Sequence, residues 1–156
     1  MSQKPFTDYI REVRALVGQR PLILTSVMVL ILEGEHLLLQ KRAGTGAYHV
    51  PGGFLELGER LEDAARREAL EETALTVGEL TLVGAYAGPE FHWSYPNGDE
   101  VYNVTVAYLT RDFSGPPNAD GDEGTDVLFI PLGELPENLG PPAKPVLEDL
   151  KARGIL

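Results

Sequence analysis

The chain contains no cysteine, and this absence removes several classes of site at once. Disulfide bonds, zinc–thiolate centres and cysteine nucleophiles are excluded, because each of them needs a thiol. Long apolar segments are absent too: the longest apolar run, residues 27–32, is far shorter than the roughly 20 residues that cross a bilayer. The N-terminal residues lack the continuous apolar stretch of a signal peptide. We therefore expect a cytoplasmic protein with no membrane partner.

Positive charge is also scarce, since 13 Lys and Arg residues stand against 24 Asp and Glu residues and the net charge is −11. This balance argues against nonspecific binding to nucleic acid, so we predict no nucleic-acid partner. It leaves room for a small phosphorylated substrate if a metal ion carries the positive charge. The length of 156 residues predicts a single domain, residues 1–156, with a substantial core.

The order of the predicted elements indicates the fold class. Apolar residues at helical spacing predict an N-terminal helix over residues 6–17, and a last helix is expected at about 144–152. Apolar runs predict strands at residues 22–32, 36–42, 48–50, 80–86 and 127–130, with a hairpin whose arms are about 90–95 and 100–110. We expect a break at residues 51–53 and a loop over 112–125. Strands and helices mix without regular βαβ alternation, which predicts an α/β (α+β) fold with a mixed sheet covered by helices.

Two glutamates, Glu68 and Glu72, lie where an amphipathic helix is normally apolar. When residues 59–73 are wound at about 100° per residue, both fall within the apolar stripe and Glu71 lies on its edge. The stripe itself consists of Leu61, Ala64, Ala65 and Ala69. A buried carboxylate without a partner is costly, and Glu68 and Glu72 also form a like-charged i,i+4 pair. The pattern predicts a compensating cation, for which a divalent metal ion with oxygen ligands is the obvious candidate.

The helix and the loop before it form one spaced pattern. It reads Gly53, five residues, Glu59, seven residues, Arg67-Glu68, two residues, Glu71-Glu72, and Pro51-Gly52 precede it. This pattern resembles the signature box of the Nudix hydrolases, and the resemblance covers about residues 20–150, leaving the N-terminal helix outside. It implies a Nudix-like α/β/α sandwich, with a mixed sheet between helices, and a Mg²⁺-dependent pyrophosphohydrolase. The chain departs from the family at Ala69, where a larger aliphatic residue is usual.

A second departure is Ala74, which stands where the family has glycine. Glycine is favoured where a helix ends with φ > 0. We therefore expect the helix to run on past this position or to end differently.

Hydrolysis of a pyrophosphate needs neutralised phosphoryl oxygens and an activated water, and Mg²⁺ or Mn²⁺ supplies both. Glu68, Glu71 and Glu72 share a helix face and can bind such an ion, and the Gly53 carbonyl can add a ligand. The resemblance implies that these four residues bind metal. It also implies that a box glutamate, Glu68 or Glu71, or a residue of a later acidic loop is the general base.

Glu123 is the expected acidic residue of that later loop, with Asp122 or Asp126 as substitutes. Its other interpretation is a solvated acidic loop. By the same resemblance, Glu59, Arg67 and Gly52 are structural, and Arg67 orients the loop against the helix. The alternative for the whole box is a solvated, salt-bridged surface helix. The glutamates inside the apolar stripe and the spacing of the loop favour the metal site.

Four residues are candidates for substrate binding. Gln40 and Arg42 lie on one face of a strand, where Arg42 could pair with a phosphate or be an edge-strand charge. Phe91 and Trp93 could stack on a nucleobase, although cross-strand packing or a dimer contact is the more ordinary role of such aromatics. His49, beside the loop at residues 51–53, is the histidine of most interest.

Three functions compete. The first is hydrolysis of a small-molecule nucleoside diphosphate linked to another moiety, such as a nucleotide sugar or an ADP-ribose-like compound. The second is a nucleoside triphosphate pyrophosphatase that clears damaged nucleotides, and the third is a non-catalytic nucleotide-sensing domain. A homodimer through the N-terminal helix or the aromatic hairpin is possible on sequence grounds.

Overall fold

One large mixed sheet carries helices on both of its faces in the computed structural model, which describes residues 8–121 and 124–156. The helices are α1 (Asp8–Val17), α2 (Leu61–Thr73) and α3 (Ala143–Ala152). The strands are β1 (Leu22–Glu33), β2 (His36–Arg42), β3 (Tyr48–His49), β4 (Gly52–Phe54), β5 (Thr76–Val77), β6 (Thr81–Tyr86), β7 (His92–Ser94), β8 (Glu100–Thr110), β9 (Phe113–Ser114) and β10 (Gly124–Pro131). Short 3₁₀ turns lie at Pro89–Phe91 and Leu132–Glu134. The predicted mixed α+β architecture is confirmed.

The central strand β1 has different neighbours along its length. On one edge it pairs in parallel with β8, from Leu22↔Val101 to Ile31↔Thr110. On the other edge its end forms a hairpin with β2, whereas its middle pairs antiparallel with β4 at Val27↔Gly53. β2 and β4 therefore pair with different parts of β1, β2 with its end and β4 with its middle. This places Gly52 and Gly53 directly beside the middle of β1.

The core forms two layers because side chains alternate across the sheet. Leu38 packs on the α2 side, and its neighbours Leu37 and Leu39 pack on the α3 side. The α2 layer contains Val27, Val29, Ile31, Ala64, Ala65 and Ala69, and the α3 layer contains Met28, Leu30, Leu32, Val146 and Leu150. This is the predicted arrangement of a sheet between helices. Within the described residues, no helix is long and apolar enough to span a bilayer.

Several local predictions were wrong. The expected break at residues 51–53 contains the start of β4, where Gly52 approaches β1 so closely that a Cβ there would lie 3.2 Å from the Cα of Met28. The expected loop at 112–125 contains β9, which pairs with β5, a strand that the pattern did not indicate. The helix α2 begins at Leu61 rather than at residue 59.

The end of α2 is also different from the prediction. Ala74 has φ 64° and ψ 8°, which is the left-handed conformation, and its N–H donates to the carbonyl of Leu70 at 3.0 Å. The helix thus ends where a glycine-terminated helix would end, but with an alanine. A Cβ makes this conformation unfavourable by roughly 1–2 kcal/mol, so Ala74 is a strained position.

Candidate active site

The two inward-facing glutamates of α2 converge on the glycine pair of β4. Ala64, Ala65 and Ala69 are fully buried against the sheet and so determine which face of the helix points inward. Glu72 is 2% exposed and accepts a hydrogen bond from the Gly52 N–H at 2.8 Å. The Glu68 carboxylate lies against Gly53, where a Cβ would be 2.5 Å from its Cδ.

Arg67 connects the loop before α2 to the carboxylates of the helix. Its guanidinium donates to both oxygens of Glu59, with distances of 2.7 Å to Oε2 and 3.0 Å to Oε1. Nη1 donates to Oε1 of Glu68 at 2.8 Å and lies 3.5 Å from Oε2 of Glu71, and Nη2 donates to the Phe54 carbonyl at 3.2 Å. The hydrogen bond with Glu59 raises the pKa of Arg67 and lowers that of Glu59. Arg67 therefore stays charged and holds loop, strand and helix together.

The inward-facing carboxylates have positive partners within the protein itself. Arg67 and the Gly52 N–H are positive partners for the inward carboxylates, in addition to the divalent ion that the pattern predicted. Among the described residues, no three His, Asp or Glu side chains form a complete metal-binding cluster. The helix carboxylates and the backbone beside them would supply oxygen donors to a metal ion at this position. Such an all-oxygen donor set fits Mg²⁺ or Mn²⁺, and the missing Cβ of Gly53 leaves space for the Glu68 carboxylate beside the backbone.

A cleft of about 180 Å³ opens beside the same glycine pair. Its lining residues are Ser26, Val27, Met28, Arg42, His49, Val50, Gly52, Gly53, Phe54, Phe91, His92, Trp93, Tyr95, Asn103, Thr105, Pro141 and Pro142. Four of these residues, Phe54, Phe91, Trp93 and Tyr95, carry aromatic rings, and the hydroxyls of Ser26 and Thr105 lie 3.0 Å apart within the lining. In the part of the chain that the structure describes, Arg42 is the one lysine or arginine of this lining.

Three of the four candidate substrate residues line this cleft, namely Arg42, Phe91 and Trp93. Gln40 does not: it is fully buried beside Gly124, and neither of its amide atoms has a hydrogen-bond partner within residues 8–121 and 124–156. Strand alternation correctly separated Gln40 from Lys41 but could not show how deep the side chain lies. The burial of Gln40 excludes it from the cleft surface.

The acidic loop is only partly described. Asp122 and Glu123 lie outside the described residues. Asp126 is exposed, and its carboxylate accepts a hydrogen bond from the adjacent Val127 N–H at 2.9 Å. The role of Glu123 therefore stays a prediction.

Some cleft residues were missed by sequence reasoning. Asn103 and Thr105 are alternate residues of β8, so strand alternation could have grouped them. Only the fold brings both into the cleft lining and pairs Thr105 with Ser26 of β1. His49, the histidine that the sequence had singled out, lines the same cleft, and burial, with a smaller effect of the Arg42 charge, lowers its pKa from 6.5 to about 4. Its imidazole is therefore neutral at pH 7.

The comparison with protein families agrees with this geometry. The model of the NUDIX domain matches residues 23–150, which include the box, the cleft strands and α3 up to Leu150. The chain belongs to the NUDIX family. Its N-terminal helix lies outside the matched segment, as the resemblance implied.

Curated relatives in the NUDIX family have several named activities. The chain is 31% identical over 121 residues to the NAD-capped RNA hydrolase NudC of Photobacterium profundum, covering 76% of this chain and 42% of that protein. It is 30% identical over 124 residues to a putative 8-oxo-dGTP diphosphatase of Bacillus subtilis, covering 80% and 76%. It is 32% identical over 111 residues to the ADP-ribose pyrophosphatase of Methanocaldococcus jannaschii, covering 69% and 62%. The chain thus spans less than half the length of its NudC relative.

A solved structure shares the NUDIX fold. The crystal structure of the MutT NUDIX hydrolase from Burkholderia pseudomallei has a TM-score of 0.70 and 27% sequence identity, covering 81% of this chain and 96% of that one.

Proposed function

We propose that this NUDIX protein hydrolyses the pyrophosphate bond of a nucleoside diphosphate linked to another moiety, with Mg²⁺ or Mn²⁺ as cofactor. One observation carries the proposal: the Gly52-Gly53 segment that Glu68 and Glu72 contact is also part of the lining of an aromatic cleft. Groups suited to a metal-bound pyrophosphate therefore adjoin a surface suited to a nucleobase. A relative named ADP-ribose pyrophosphatase supports this substrate class.

The residues of α2 would bind the metal ion. Glu68, Glu71 and Glu72 would supply carboxylate oxygens, and Gly53 would supply a carbonyl oxygen. When bound, the ion neutralises charge on the phosphoryl oxygens and lowers the pKa of a water molecule. Arg67 keeps Glu68 in place, and Gly52 keeps Glu72 in place, through the hydrogen bonds described above. The general base is Glu68 or Glu71, or Glu123 of the acidic loop.

The cleft would bind the nucleoside part of the substrate. Trp93, which is 40% exposed, presents an aromatic ring for stacking, and Arg42 is positioned to pair with a phosphate. Phe91 lines the cleft but is 3% exposed, so it would back the binding surface. Gln40 is omitted from this set because it is buried.

A second candidate is the nucleoside triphosphate pyrophosphatase, supported by the relative named as a putative 8-oxo-dGTP diphosphatase. It would use the same carboxylates and release pyrophosphate. The non-catalytic sensing domain ranks last, because all the box glutamates are present.

The other proposals concern partners and location. We propose a free small molecule as the substrate, because the net charge of −11 disfavours the RNA portion of an NAD-capped RNA. A cytoplasmic location and a possible homodimer remain predictions from the sequence.

The test is a substrate panel with Mg²⁺ or Mn²⁺ and with EDTA. The panel contains ADP-ribose, a nucleotide sugar, NAD, NAD-capped RNA, dGTP and 8-oxo-dGTP. Phosphate is measured with added phosphatase, which releases it from a phosphomonoester product, or with added inorganic pyrophosphatase, which releases it from pyrophosphate. Phosphatase-dependent release from ADP-ribose, NAD or a nucleotide sugar supports the first function. Release from triphosphates that depends on pyrophosphatase supports the second, and no metal-dependent release from any compound contradicts both.

A further inference from the structure

We infer that the N-terminal helix α1, which the family match does not include, braces the aromatic wall of the cleft, and that Arg14 is the positioning residue of this brace. The inference rests on the proposed function for its kinetic test only. Phe91, His92, Trp93 and Tyr95, which form this wall, belong to the segment that leads into β7 and its turn. Contacts from α1 hold that segment against the sheet.

The short strand β7 and the turn after it are the weakly held part of this hairpin. β8 is already fixed in the sheet by its pairing with β1, from Leu22↔Val101 onward. β7 has only three residues and pairs with β8 through His92↔Tyr102, Trp93↔Val101 and Ser94↔Glu100. So short a strand contributes few hydrogen bonds, so β7 and its turn gain stability from packing against a further element, and α1 contacts the turn and the start of β8.

Arg14 binds the start of β8. Its side chain is 10% exposed, its Nη2 donates to the Glu100 carbonyl at 2.7 Å, and its Nε lies 3.7 Å from Oδ2 of Asp99. Nη1 donates to the carbonyls of Arg20 at 2.6 Å and of Gly18 at 3.1 Å. One guanidinium thus joins the end of α1, the connection to β1 and the hairpin turn. The fork of donors on arginine suits such a junction, and a lysine cannot reproduce it.

Two further contacts extend the brace to the cleft itself. Ile10 of α1 is 1% exposed and belongs to a core cluster that includes Phe54 and Tyr95, both of which line the cleft. Arg14 binds the backbone carbonyl of Glu100, and Oε1 of the Glu100 side chain lies 2.9 Å from Nε2 of His92, another lining residue. Gln19 adds a hydrogen bond to the Asn97 carbonyl in the hairpin turn. Through these contacts the helix reaches residues that lie behind the wall.

The experiment uses the full chain and compares Arg14→Met, Arg14→Lys and Arg11→Met. Arg11 is on the same helix, but its side chain is 52% exposed and pairs only with Asp8 among the described residues, at 3.7 Å, so it is a matched control. The readouts are KM and kcat for ADP-ribose, with the preferred panel compound in its place if ADP-ribose is not hydrolysed, and acrylamide quenching of Trp93. Trp93 is the only tryptophan of the chain, so its fluorescence reports on the hairpin directly.

We expect Arg14→Met to raise KM about tenfold with kcat within about twofold of wild type, because the binding wall moves while the metal-binding residues do not. Acrylamide quenching of Trp93 should increase, Arg14→Lys should restore part of both effects, and Arg11→Met should match wild type. A folded Arg14→Met protein with unchanged KM and unchanged quenching would overturn the inference, even if its melting temperature fell.

Two precautions keep the result decisive. If Arg14→Met does not fold, Gln19→Ala removes the weaker tie to the turn, and the same changes in quenching and KM are expected on a smaller scale. If wild-type protein hydrolyses no compound of the panel, the proposed function fails, but the quenching comparison still decides whether α1 holds the hairpin.

Discussion

The carboxylate of Glu68 occupies the space that a side chain at position 53 would need, since a Cβ on Gly53 would lie 2.5 Å from Cδ of Glu68. The glycine is therefore required by its neighbour and not by its backbone conformation, because its φ is not in the left-handed region. The glycine of the loop and the glutamate of the helix form one unit, although 15 positions separate them in the sequence.

Gly53→Ala should displace Glu68 and lower kcat at least about tenfold, because a small misplacement of a catalytic group costs much of its effect. The fold should persist with a loss of about 1–3 kcal/mol from overpacking. Gly133→Ala is the control, since a Cβ there meets nothing within 4 Å. Kinetic constants and metal activation unchanged in Gly53→Ala would contradict the prediction.

If Glu72 binds the metal ion as proposed, Glu72→Gln should lower turnover at least about a hundredfold, because loss of the charged ligand weakens activation of both water and phosphate. The fold should remain, since the amide oxygen can still accept from the Gly52 N–H. Asp63→Asn removes a charge from an exposed position of the same helix and serves as the control. Steady-state rates with Mg²⁺ and circular dichroism measure the two effects, and wild-type turnover in Glu72→Gln would refute the assignment.

The stabilising contribution of Glu59 to the folded state should be lost in acid. The hydrogen bond from Arg67 holds the pKa of Glu59 below its unfolded value, so this contribution is present above about pH 4.3 and is lost as pH falls through the folded pKa. Urea unfolding of Glu59→Gln should therefore show a deficit at pH 6 that shrinks toward pH 3. Glu137→Gln, at an exposed position, is the control. A deficit that stays constant with pH would count against the ion pair.

His49 should stay neutral well below pH 6. Burial lowers its pKa from 6.5 to about 4, so the unfolded chain takes up a proton before the folded one does. The folded state consequently loses stability as pH falls from about 6.5 to 4, by up to about 3 kcal/mol. Proton NMR should show the His49 ring titrating near 4. His49→Gln should flatten the stability profile in this window, and titration of His49 near 6.5 would contradict the prediction.

Ala74→Gly should stabilise the protein by about 1 kcal/mol, because glycine adopts the left-handed conformation without the Cβ penalty. Ala152→Gly, at an exposed position in the last turn of α3, should instead destabilise it by about 0.5–1 kcal/mol. Equilibrium unfolding in urea measures both changes. A loss of stability in Ala74→Gly would show that the helix end is not strained.

Local sequence patterns predicted those helices and strands whose formation depends only on their own residues. The face of α2 follows from the helical period alone, so the burial of Ala64, Ala69 and Glu72 could be predicted from their spacing. The strand β2 was predicted with its observed bounds, His36–Arg42, because it is a continuous run between turn residues. The same kind of reasoning missed β4, since a Gly-Gly strand exists only because β1 provides the hydrogen bonds.

The residues of the cleft could not be grouped from local sequence patterns. Ser26 and Thr105 are 79 positions apart, and their hydroxyls meet because β1 and β8 pair in parallel with one particular register. No short pattern carries that register, so Asn103 and Thr105 could not be assigned to the cleft beforehand. Gln40 was expected at the binding surface but is fully buried, because alternation determines the face of a strand and not the depth of burial.

The amino-acid sequence by itself determined the spaced carboxylates, the side of the helix that they occupy and the family, because spacing along one helix is a local property. The tertiary structure alone decided that Arg67 and Gly52 hold those carboxylates, that an aromatic cleft adjoins them and that α1 supports its wall. Those relationships join residues far apart in the chain, and they arise only when strand pairing and core packing bring the residues together.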